Sequence, residues 1–474
     1  MRRPLHVALP AVLASAVLAF PAIPAGPALA RPAASQPGGN WTAFLSGPTH
    51  HSDNAAAVAI TPGTVPGLRR AWSFMPARAT MPGQPGPKLF SSPTVFNGRV
   101  YIGAGTGVFY ALSEATGKVV WSRFLGFVTK KTCGARGMTS TATVAPDPRT
   151  GAATVYVAGA DGFLYALSAA TGATRWRSLV ARPSQTKNNY YNWSSPAVVG
   201  GRIYMGVSSQ CDSPLSMGGL KEFRQSTGAQ VAFFKSNPPG PTGPSIWSSP
   251  AAPTSGTSVF VTTGNGLGPN QISVIRLNPV TLARQDGWQI PAAAHGFDSD
   301  FGGSPTLFSA RIGGRTVQLA GACNKNGVYY ALRQRDLRAG PVWQFRAGSS
   351  VSVSSRCDGA AAWDGSHLYV AANQTVIGGV TFGGSVRSLN PATGRPRWQR
   401  GLPDPVVGSS TLDGAGVLAV PTFGDSGLFL ISAATGKILR NIRTGPEFGE
   451  AVFAGRMLLA PTKDHGLWAY QPAT

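Results

Sequence analysis

The sequence has few charged residues, and acidic residues are the scarcest of them. Only 12% of the 474 residues are charged, and 18 aspartates and glutamates stand against 41 lysines and arginines, which gives a formal net charge of +23. The basic residues are scattered instead of clustered with aromatics, so a nucleic-acid binder is not indicated. We expect a solvated basic surface, with attraction to an anionic cell surface or an acidic redox partner as the alternative.

Cysteine is also scarce, and its spacing excludes two kinds of site. None of the four cysteines has the C-x-x-C spacing of a zinc site or the C-x-x-C-H of an attached haem. Their even number suggests two disulfides in an exported protein, although four cysteines allow three connectivities. The sequence contains no Ser-His-Asp or Cys-His arrangement and no phosphate-binding loop. Three histidines have no second metal ligand at a sensible spacing and are expected on the surface: His50, His51 and His295.

Long apolar runs are confined to the start of the chain. Arg2 and Arg3 precede an apolar stretch, residues 7–20, that is too short to span a bilayer comfortably, and Ala28-Leu29-Ala30 forms a small-x-small cleavage site. Residues 1–30 are therefore predicted to be a signal peptide, with the twin-arginine route as a possible export path. Residues 31–474 are expected to form one domain without a transmembrane anchor in the periplasm, the cell wall or the medium.

The chain is rich in repetition, punctuated by 60 glycines and 39 prolines. From about residue 90 a unit recurs that starts with a motif such as Ser-Ser-Pro and runs through short apolar segments. It ends with Thr-Gly, often followed four residues later by tryptophan. Short segments joined by Asn-Gly or Thr-Gly turns are typical of antiparallel strands. The unit predicts a four-stranded sheet, and its recurrence indicates a repeat architecture.

The number of copies predicts an all-β, eight-bladed β-propeller. Seven complete copies precede an eighth that begins near Phe448 and stops at Tyr470 after three strands. The segment Leu68–Phe74 matches the missing strand, so the last blade would be closed by the N-terminal strand. A seven-bladed ring is the main alternative. A stacked solenoid is another, but its two ends would not need to complement each other.

The tryptophan that ends the repeat has a structural explanation. The glycine four residues before it permits the positive φ of a hairpin turn. The indole can then pack between neighbouring blades. We therefore expect no cofactor platform at Trp121, Trp176 or Trp398.

Unusual polar residues occur where a propeller places its chemistry. The loop that enters the first strand of a blade and the loop that leaves the second open on the same face. Turns favour Asp, Asn and Gly everywhere, so a cluster on consecutive blades is more informative than any single position. In blades two to five these loops carry Arg136, Asp212, Trp247, Asn265, Asp298, Asp300 and Lys325.

With the repeat, these residues resemble the quinoprotein dehydrogenases that bind pyrroloquinoline quinone (PQQ). The resemblance covers nearly the whole mature chain and includes the segment Asn40-Trp41-Thr42-Ala43-Phe44 that leads to the strand at Leu68–Phe74. The stretches at residues 300–305 and 325–332 are similar to those of polyvinyl-alcohol-dehydrogenase-like and alcohol-dehydrogenase members. The family is an eight-bladed propeller, in agreement with the number of copies.

The resemblance implies cofactor contacts for three residues. Trp247 matches the tryptophan on which the planar cofactor stacks, and Lys325 matches the cation beside the reactive quinone carbonyl. Arg136 resembles the arginine that reaches the polar edge of the cofactor. In such a protein the quinone performs the redox chemistry, while the chain positions and polarises it.

The resemblance also implies a calcium site. Asn265 matches the family's amide ligand, Asp212 falls where the family has a glutamate ligand, and Asp300 matches the catalytic aspartate, which also binds the metal. Calcium takes carboxylate and amide oxygens, so these residue types suit it. Asp300 would accept the alcohol proton as general base.

One departure from the family concerns a disulfide. Its alcohol dehydrogenases carry a disulfide between adjacent cysteines over the cofactor, whereas this chain has only Cys133 near that place. We hypothesise that Cys133 pairs with Cys211 across blades two and three and covers the site, which leaves Cys323 to pair with Cys357.

The sequence therefore predicts a secreted PQQ- and calcium-dependent dehydrogenase-like protein that oxidises a small or polymeric alcohol. Without a haem segment, it would pass electrons to an external acceptor such as a cytochrome or a quinone. The alternative is a non-catalytic PQQ-repeat propeller that acts as a binding or scaffold protein in the cell envelope, although no cysteine stands at the cleavage site to make it a lipoprotein. A polysaccharide-binding module is a third possibility.

Overall fold

The computed structural model describes residue 1 and residues 38–130, 132–184, 189–238, 240–295, 298–348 and 357–473. The predicted signal peptide, residues 1–30, therefore lies outside the described residues apart from Met1. The described chain folds into eight small antiparallel sheets that follow one another in sequence order, which confirms the eight-bladed propeller. No helix in the part of the chain that the structure describes is long and apolar enough to cross a membrane.

Each blade is an antiparallel meander that begins with its innermost strand and ends with its outermost one. In blade eight the outermost strand comes from the N-terminal part of the chain. Blade one consists of Thr94–Phe96, Arg99–Gly103, Val108–Ser113 and Val119–Phe124, and blade two of Thr143–Pro146, Ala153–Ala158, Phe163–Ser168 and Thr174–Leu179. Blade three consists of Ala197–Val199, Arg202–Val207, Gly219–Arg224 and Gln230–Lys235, and blade four of Val259–Thr262, Ser273–Leu277 and Arg284–Gln289. Ala251 extends blade four inward through a single bridge to Phe260.

The next three blades complete most of the circle. Blade five consists of Thr306–Ile312, Arg315–Cys323, Val328–Arg333 and Asp336–Arg346, and blade six of Ala362–Trp363, Leu368–Ile377, Val380–Leu389 and Pro396–Leu402. Blade seven contains Thr411–Asp413, Val417–Pro421, Leu428–Ser432 and Ile438–Ile442. The short strand Asp53–Asn54 joins blade seven, where it pairs parallel with Thr411–Asp413. Outside the blades lie the hairpin Val128–Lys130 and Gly134–Arg136 and the 3-10 turns Phe44–Ser46, Val65–Gly67 and Ala292–Ala294.

The eighth blade is assembled from both ends of the chain. Its first three strands are Val452–Ala454, Met457–Thr462 and Gly466–Gln471. The outer strand is Arg69–Phe74, which pairs antiparallel with Gly466–Gln471. The predicted closure of the last blade by the N-terminal strand is confirmed, and it joins the ends of the ring by backbone hydrogen bonds.

The repeated tryptophans pack between blades, as predicted. A Cβ atom on Gly172 would lie 2.6 Å from the Cε3 of Trp121, and one on Gly436 would lie 2.6 Å from that of Trp398. The Nε1 of Trp121 also donates a hydrogen bond of 3.1 Å to the carbonyl of Ala169 in the next blade. Glycine in the Thr-Gly turn therefore serves twice, because it adopts a positive φ and leaves room for the indole of the preceding blade.

Residues 38–57, here called the N-terminal belt, run around the central channel before the first blade begins. Successive belt residues hydrogen-bond through their backbone to the inner strands of seven blades. These bonds join Gly38 to Gly455, Trp41 to Val95, Thr42 to Val144, Pro48 to Ala252, Thr49 to Leu307, His51 to Trp363 and Ser52 to Leu412. The belt occupies one end of the channel, and the loops that carry the predicted site residues lie at the opposite, open end.

The histidines of the belt are structural. His50 is only 2% exposed and contacts the carbonyl of Pro305 through Nδ1 at 2.9 Å, and His51 contacts that of Leu307 through Nε2 at 2.8 Å. Burial lowers the pKa of His50 to about 4, so that its ring is neutral at physiological pH. The expectation of a surface position was wrong for His50, because belt contacts cannot be read from the spacing of histidines.

Both hypothesised disulfides are present. Cys133 is bonded to Cys211 with a Cα–Cα distance of 5.9 Å, and Cys323 to Cys357 with 5.1 Å. The first bond ties the hairpin before blade two to the loop that leaves the second strand of blade three. The second lies in the core between blades five and six.

Candidate functional site

The open end of the channel is lined by two rings of eight residues, with one residue of each ring from each blade. The first set, here called the mouth ring, stands two residues before the second set, the hydroxyl ring. The mouth ring comprises Phe90, Thr139, Trp193, Trp247, Gly302, Asp358, Val407 and Phe448, and the hydroxyl ring comprises Ser92, Thr141, Ser195, Ser249, Ser304, Ala360, Ser409 and Glu450. With Phe44 of the belt they border a cavity of about 100 Å³ that opens to solvent.

The hydroxyl ring links neighbouring blades. The amide of Ser92 donates to the hydroxyl of Thr141 at 3.0 Å, and the amide of Ser195 donates to that of Ser249 at 2.9 Å. The same bond recurs from Thr141 to Ser195, from Ser249 to Ser304, from Ala360 to Ser409 and from Glu450 to Ser92. A buried amide near the channel axis needs an acceptor, and the hydroxyl of the next blade provides it.

An ion-pair cluster lies beside the mouth ring in blade five. Lys325 Nζ lies 2.9 Å from Asp298 Oδ2 and 3.1 Å from Asp300 Oδ2. Burial alone would lower the pKa of Lys325, but the carboxylates of Asp300, Asp358 and Asp298 outweigh it and raise the pKa above its ordinary value. Lys325 therefore remains a fixed cation at the open end of the channel.

Blade four holds the other side of this cluster. The backbone amide of Asn265 donates to Asp300 Oδ1, and its side-chain Nδ2 donates to Asp298 Oδ1 at 2.7 Å. A Cβ atom on Gly264 would lie 2.7 Å from Asp300 Oδ1, so glycine at this position permits the close approach of the carboxylate. Each aspartate is held by one group from blade four and one from blade five, which fixes its orientation.

Asp212 approaches the cluster from blade three. Partial burial raises the pKa of Asp212, and the nearby charges of Asp300 and Asp298 raise it further, while Lys325 and a hydrogen bond with Asn265 oppose the change. The sequence-predicted metal residues Asp212, Asn265 and Asp300 are thus brought together. Four carboxylates, those of Asp212, Asp298, Asp300 and Asp358, interact electrostatically with one lysine, which leaves a local excess of acidic groups.

Trp247 and Arg136 lie above the channel. Lys325 Nζ is 5.2 Å from the ring centre of Trp247. The guanidinium carbon of Arg136 is 4.7 Å from the ring centre of Trp193 and 5.6 Å from that of Phe90. Within the described ranges, the buried Nε of Arg136 has no hydrogen-bond partner and its guanidinium has no carboxylate partner. An arginine in this state is suited to an anionic ligand.

Asp358 is the residue that the sequence prediction missed. It is the mouth-ring residue of blade six, and a Cβ atom on Gly302 would lie 2.4 Å from its Oδ1. Its charge also acts on Lys325. A signal was present in the register of the repeat, because Asp358 stands two residues before Ala360 as Trp247 stands two before Ser249. It was hidden because blade six lacks the Ser-Ser-Pro motif.

The acidic residues of the site do not form a ready-made metal cage. In the described part of the chain, no group of three or more His, Cys, Asp or Glu side chains is arranged to hold a metal ion. Both carboxylate oxygens of Asp300 already accept hydrogen bonds, from Asn265 and from Lys325. An ion at this position would have to compete with these internal partners.

The chain is similar to two kinds of propeller protein. Residues 69–266 and 295–474 match the model of a family described as outer membrane protein assembly factor BamB. No protein among the curated sequences matches.

Several solved structures share the fold at low sequence identity. The quinohaemoprotein alcohol dehydrogenase of Comamonas testosteroni superposes with a TM-score of 0.71 at 16% identity, covering 91% of this chain and 80% of that one. A europium-containing methanol dehydrogenase gives 0.70 at 15% identity, covering 91% and 89%. BamB of Moraxella catarrhalis gives 0.52 at 14% identity, covering 85% and 97%.

Proposed function

The chain belongs to the PQQ-repeat propeller family whose model is described as outer membrane protein assembly factor BamB, and it carries a charged site at the open end of its channel. We propose that it is an extracytoplasmic PQQ- and calcium-dependent dehydrogenase that oxidises an alcohol. The observation that carries the proposal is the Lys325–Asp300 ion pair beside the Trp247 ring. A scaffold propeller has no need to bury such a pair at the channel opening, since buried charges are costly to desolvate.

The residues fit PQQ, a planar and anionic molecule. Trp247 offers a half-buried ring at the channel opening, and Arg136 brings a guanidinium whose Nε lacks a partner within the described chain. Lys325 adds a fixed positive charge. When bound, PQQ would supply the electron-accepting carbonyl. The chain would hold the cofactor through Trp247, Arg136 and Lys325.

The residues also fit calcium in charge and ligand type. Asp212, Asp298 and Asp300 outnumber Lys325, so a divalent cation would neutralise the excess charge. Asn265 contributes an amide oxygen of the kind that calcium accepts. We propose Asp212, Asn265 and Asp300 as the ligands, with release of part of the internal hydrogen bonding when the ion binds.

Asp300 is the proposed general base. Its side chain is 9% exposed, and its two oxygens are oriented by Lys325 and by the amide of Asn265. A carboxylate held in this way can accept the proton of an alcohol that enters from the open end of the channel. The electrons would leave to an external acceptor, a cytochrome or a quinone.

A non-catalytic scaffold is the second candidate. It is favoured by the description of the matched family and by the coverage of Moraxella BamB, of which 97% is matched. In this case the mouth ring would contact a partner in the cell envelope instead of a cofactor, and the basic surface would favour an acidic one.

The test is calorimetric titration of PQQ into the full exported chain with calcium and then with a chelator, together with dye reduction by alcohols. We expect calcium-dependent binding. Asp300→Asn removes a proposed calcium ligand together with the general base, so it should weaken this binding and lower the turnover by at least about 10²–10⁴-fold, the usual contribution of a general base.

The matched control is Asp464→Asn. Asp464 lies on the same face of the ring, in the loop after the second strand of blade eight, and its ion pairs with Lys88 and Lys463 are partly exposed and contribute little. This variant should behave like the wild type. Absence of PQQ binding with and without calcium would refute the dehydrogenase and leave the scaffold.

A further inference from the structure

The channel cavity is lined by acidic residues and by no basic ones. Of the twenty residues that line the cavity, Asp358 and Glu450 are acidic, and none is lysine, arginine or histidine. This is unusual in a chain with 41 basic and 18 acidic residues. All the ionisable side chains among these lining residues are therefore acidic, although the protein as a whole is strongly basic.

Glu450 is the exception in the hydroxyl ring. Its amide donates to Ser92 at 2.9 Å like the other members of the ring, but a carboxylate stands where six of the eight blades have a hydroxyl. The residue is 2% exposed, and its Oε2 has no hydrogen-bond partner among the described residues. A buried carboxylate oxygen without a partner is costly, so this position requires a ligand or a proton.

We propose that the channel cavity binds a hard metal cation of the calcium class, with Glu450 as its charged ligand and the hydroxyl ring and water completing the coordination. Hard cations take carboxylate and hydroxyl oxygens, which are the groups that this cavity offers. The site is separate from the proposed calcium site at the opening, because Asp212, Asn265 and Asp300 do not line the cavity. The inference does not rest on the proposed dehydrogenase function.

Glu447 provides a matched comparison in the same loop. It is fully buried, both its carboxylate oxygens lack hydrogen-bond partners in the described chain, and burial raises its pKa to about 8, as it does for Glu450. Glu447 does not line the cavity. The two residues therefore share burial and differ in access to the channel, so that only Glu450 should bind an ion.

The test uses terbium as a luminescent substitute for calcium, excited through the tryptophans of the mouth ring, without PQQ and above the pKa of Glu450. The background is Asp300→Asn, which disables the proposed site at the opening. We expect terbium luminescence that calcium displaces. Adding Glu450→Gln should weaken binding at least about tenfold, because the charge of the ligand set controls affinity, and adding Glu447→Gln should leave it within about twofold.

Two results would overturn the proposal. One is absence of terbium binding in the Asp300→Asn protein. The other is equal binding with and without Glu450→Gln, which would mean that Glu450 carries only a proton. If the glutamine variant does not fold, Glu450→Asp keeps the charge with a shorter reach and is expected to bind at least about tenfold more weakly, while equal binding contradicts the site. Failure of PQQ to bind in the separate titration leaves these outcomes unchanged.

Discussion

The mouth ring and the hydroxyl ring occupy equivalent positions in the same eight blades, yet they differ in composition. Six of the eight residues of the hydroxyl ring are serine or threonine, and each of the six accepts an amide from the preceding blade. The mouth ring contains aromatic, aliphatic, acidic, hydroxyl and glycine positions. Two residues of backbone separate a uniform ring from a varied one.

This difference shows how the repeats of one chain can be compared with each other. A position that is uniform across blades answers a need that every blade has, here an acceptor for a buried amide. A position that varies answers a need that arises once, such as contact with an asymmetric ligand. Trp247 and Asp358, in the mouth ring, are positions of the varied kind. Glu450 belongs to the hydroxyl ring, but it departs from the uniform residue type of that ring.

The largest difference between the rings is expected for Trp247→Ala. Removal of this ring should weaken PQQ binding by at least about thirtyfold, as is typical when a central aromatic contact is lost. Because Trp247 is only half-buried, the free energy of unfolding should change much less than the affinity. Calorimetric titration with PQQ and urea unfolding measure the two effects. A large loss of stability with unchanged affinity would place Trp247 with the uniform ring.

In the hydroxyl ring we expect a smaller effect, which changes the stability of the fold and not the affinity for PQQ. Ser249→Ala leaves the amide of Ser195 without its acceptor and should lower the free energy of unfolding by about 1–3 kcal/mol, the cost of an unsatisfied buried donor. Urea unfolding measures it. PQQ affinity should remain close to the wild-type value, and a loss comparable to that of Trp247→Ala would remove the distinction between the rings.

The pH dependence of stability tests the two buried glutamates of blade eight, Glu450 in the hydroxyl ring and Glu447 beside it. Burial raises the pKa of Glu447 and Glu450 from 4.5 to about 8, so folding favours their protonated forms. Their contribution to stability is present below about pH 4.5 and is lost as the pH rises to about 8. Glu447→Gln should therefore stabilise the protein by about 1–3 kcal/mol above pH 8 and reduce the slope between these limits. Urea unfolding across this range checks it, and an unchanged slope would contradict it.

The smallest effect is expected for a repair of the ring. Ala360 is the position where the ring lacks a hydroxyl, so Ala360→Ser offers an acceptor to the amide of Ser304. It should raise the free energy of unfolding by about 0.5–1.5 kcal/mol. Thermal unfolding of this variant beside Ser249→Ala measures both directions. Destabilisation by the added hydroxyl would mean that blade six departs from the ring geometry.

Much of the fold could be predicted because its signals are local and repeated. The Thr-Gly turn recurs along the chain and is followed by a tryptophan in blades one, two and six, and the unmatched strand at 68–74 predicts how the ring closes. The position of Asp300 and Lys325 followed from the same register, since both stand in loops of the open face. The predicted roles of these residues in binding and catalysis stay predictions.

The remainder could not be predicted because its signals are neither local nor repeated. The N-terminal belt bonds to seven blades through its backbone, which every residue type provides, so its path leaves little trace in composition. The burial of His50 follows from that path. The partnerless carboxylate of Glu450 is visible only when the blade register is aligned around the channel axis.

The belt also has a consequence for the order of assembly. Ser52 donates to the carbonyl of Ser410, 358 residues later, and Asn54 to that of Phe453, 399 residues later. The part of the chain that emerges first during synthesis is therefore among the last to reach its native contacts. Closing such long loops is slow, so folding of this propeller should be rate-limited by a late threading step.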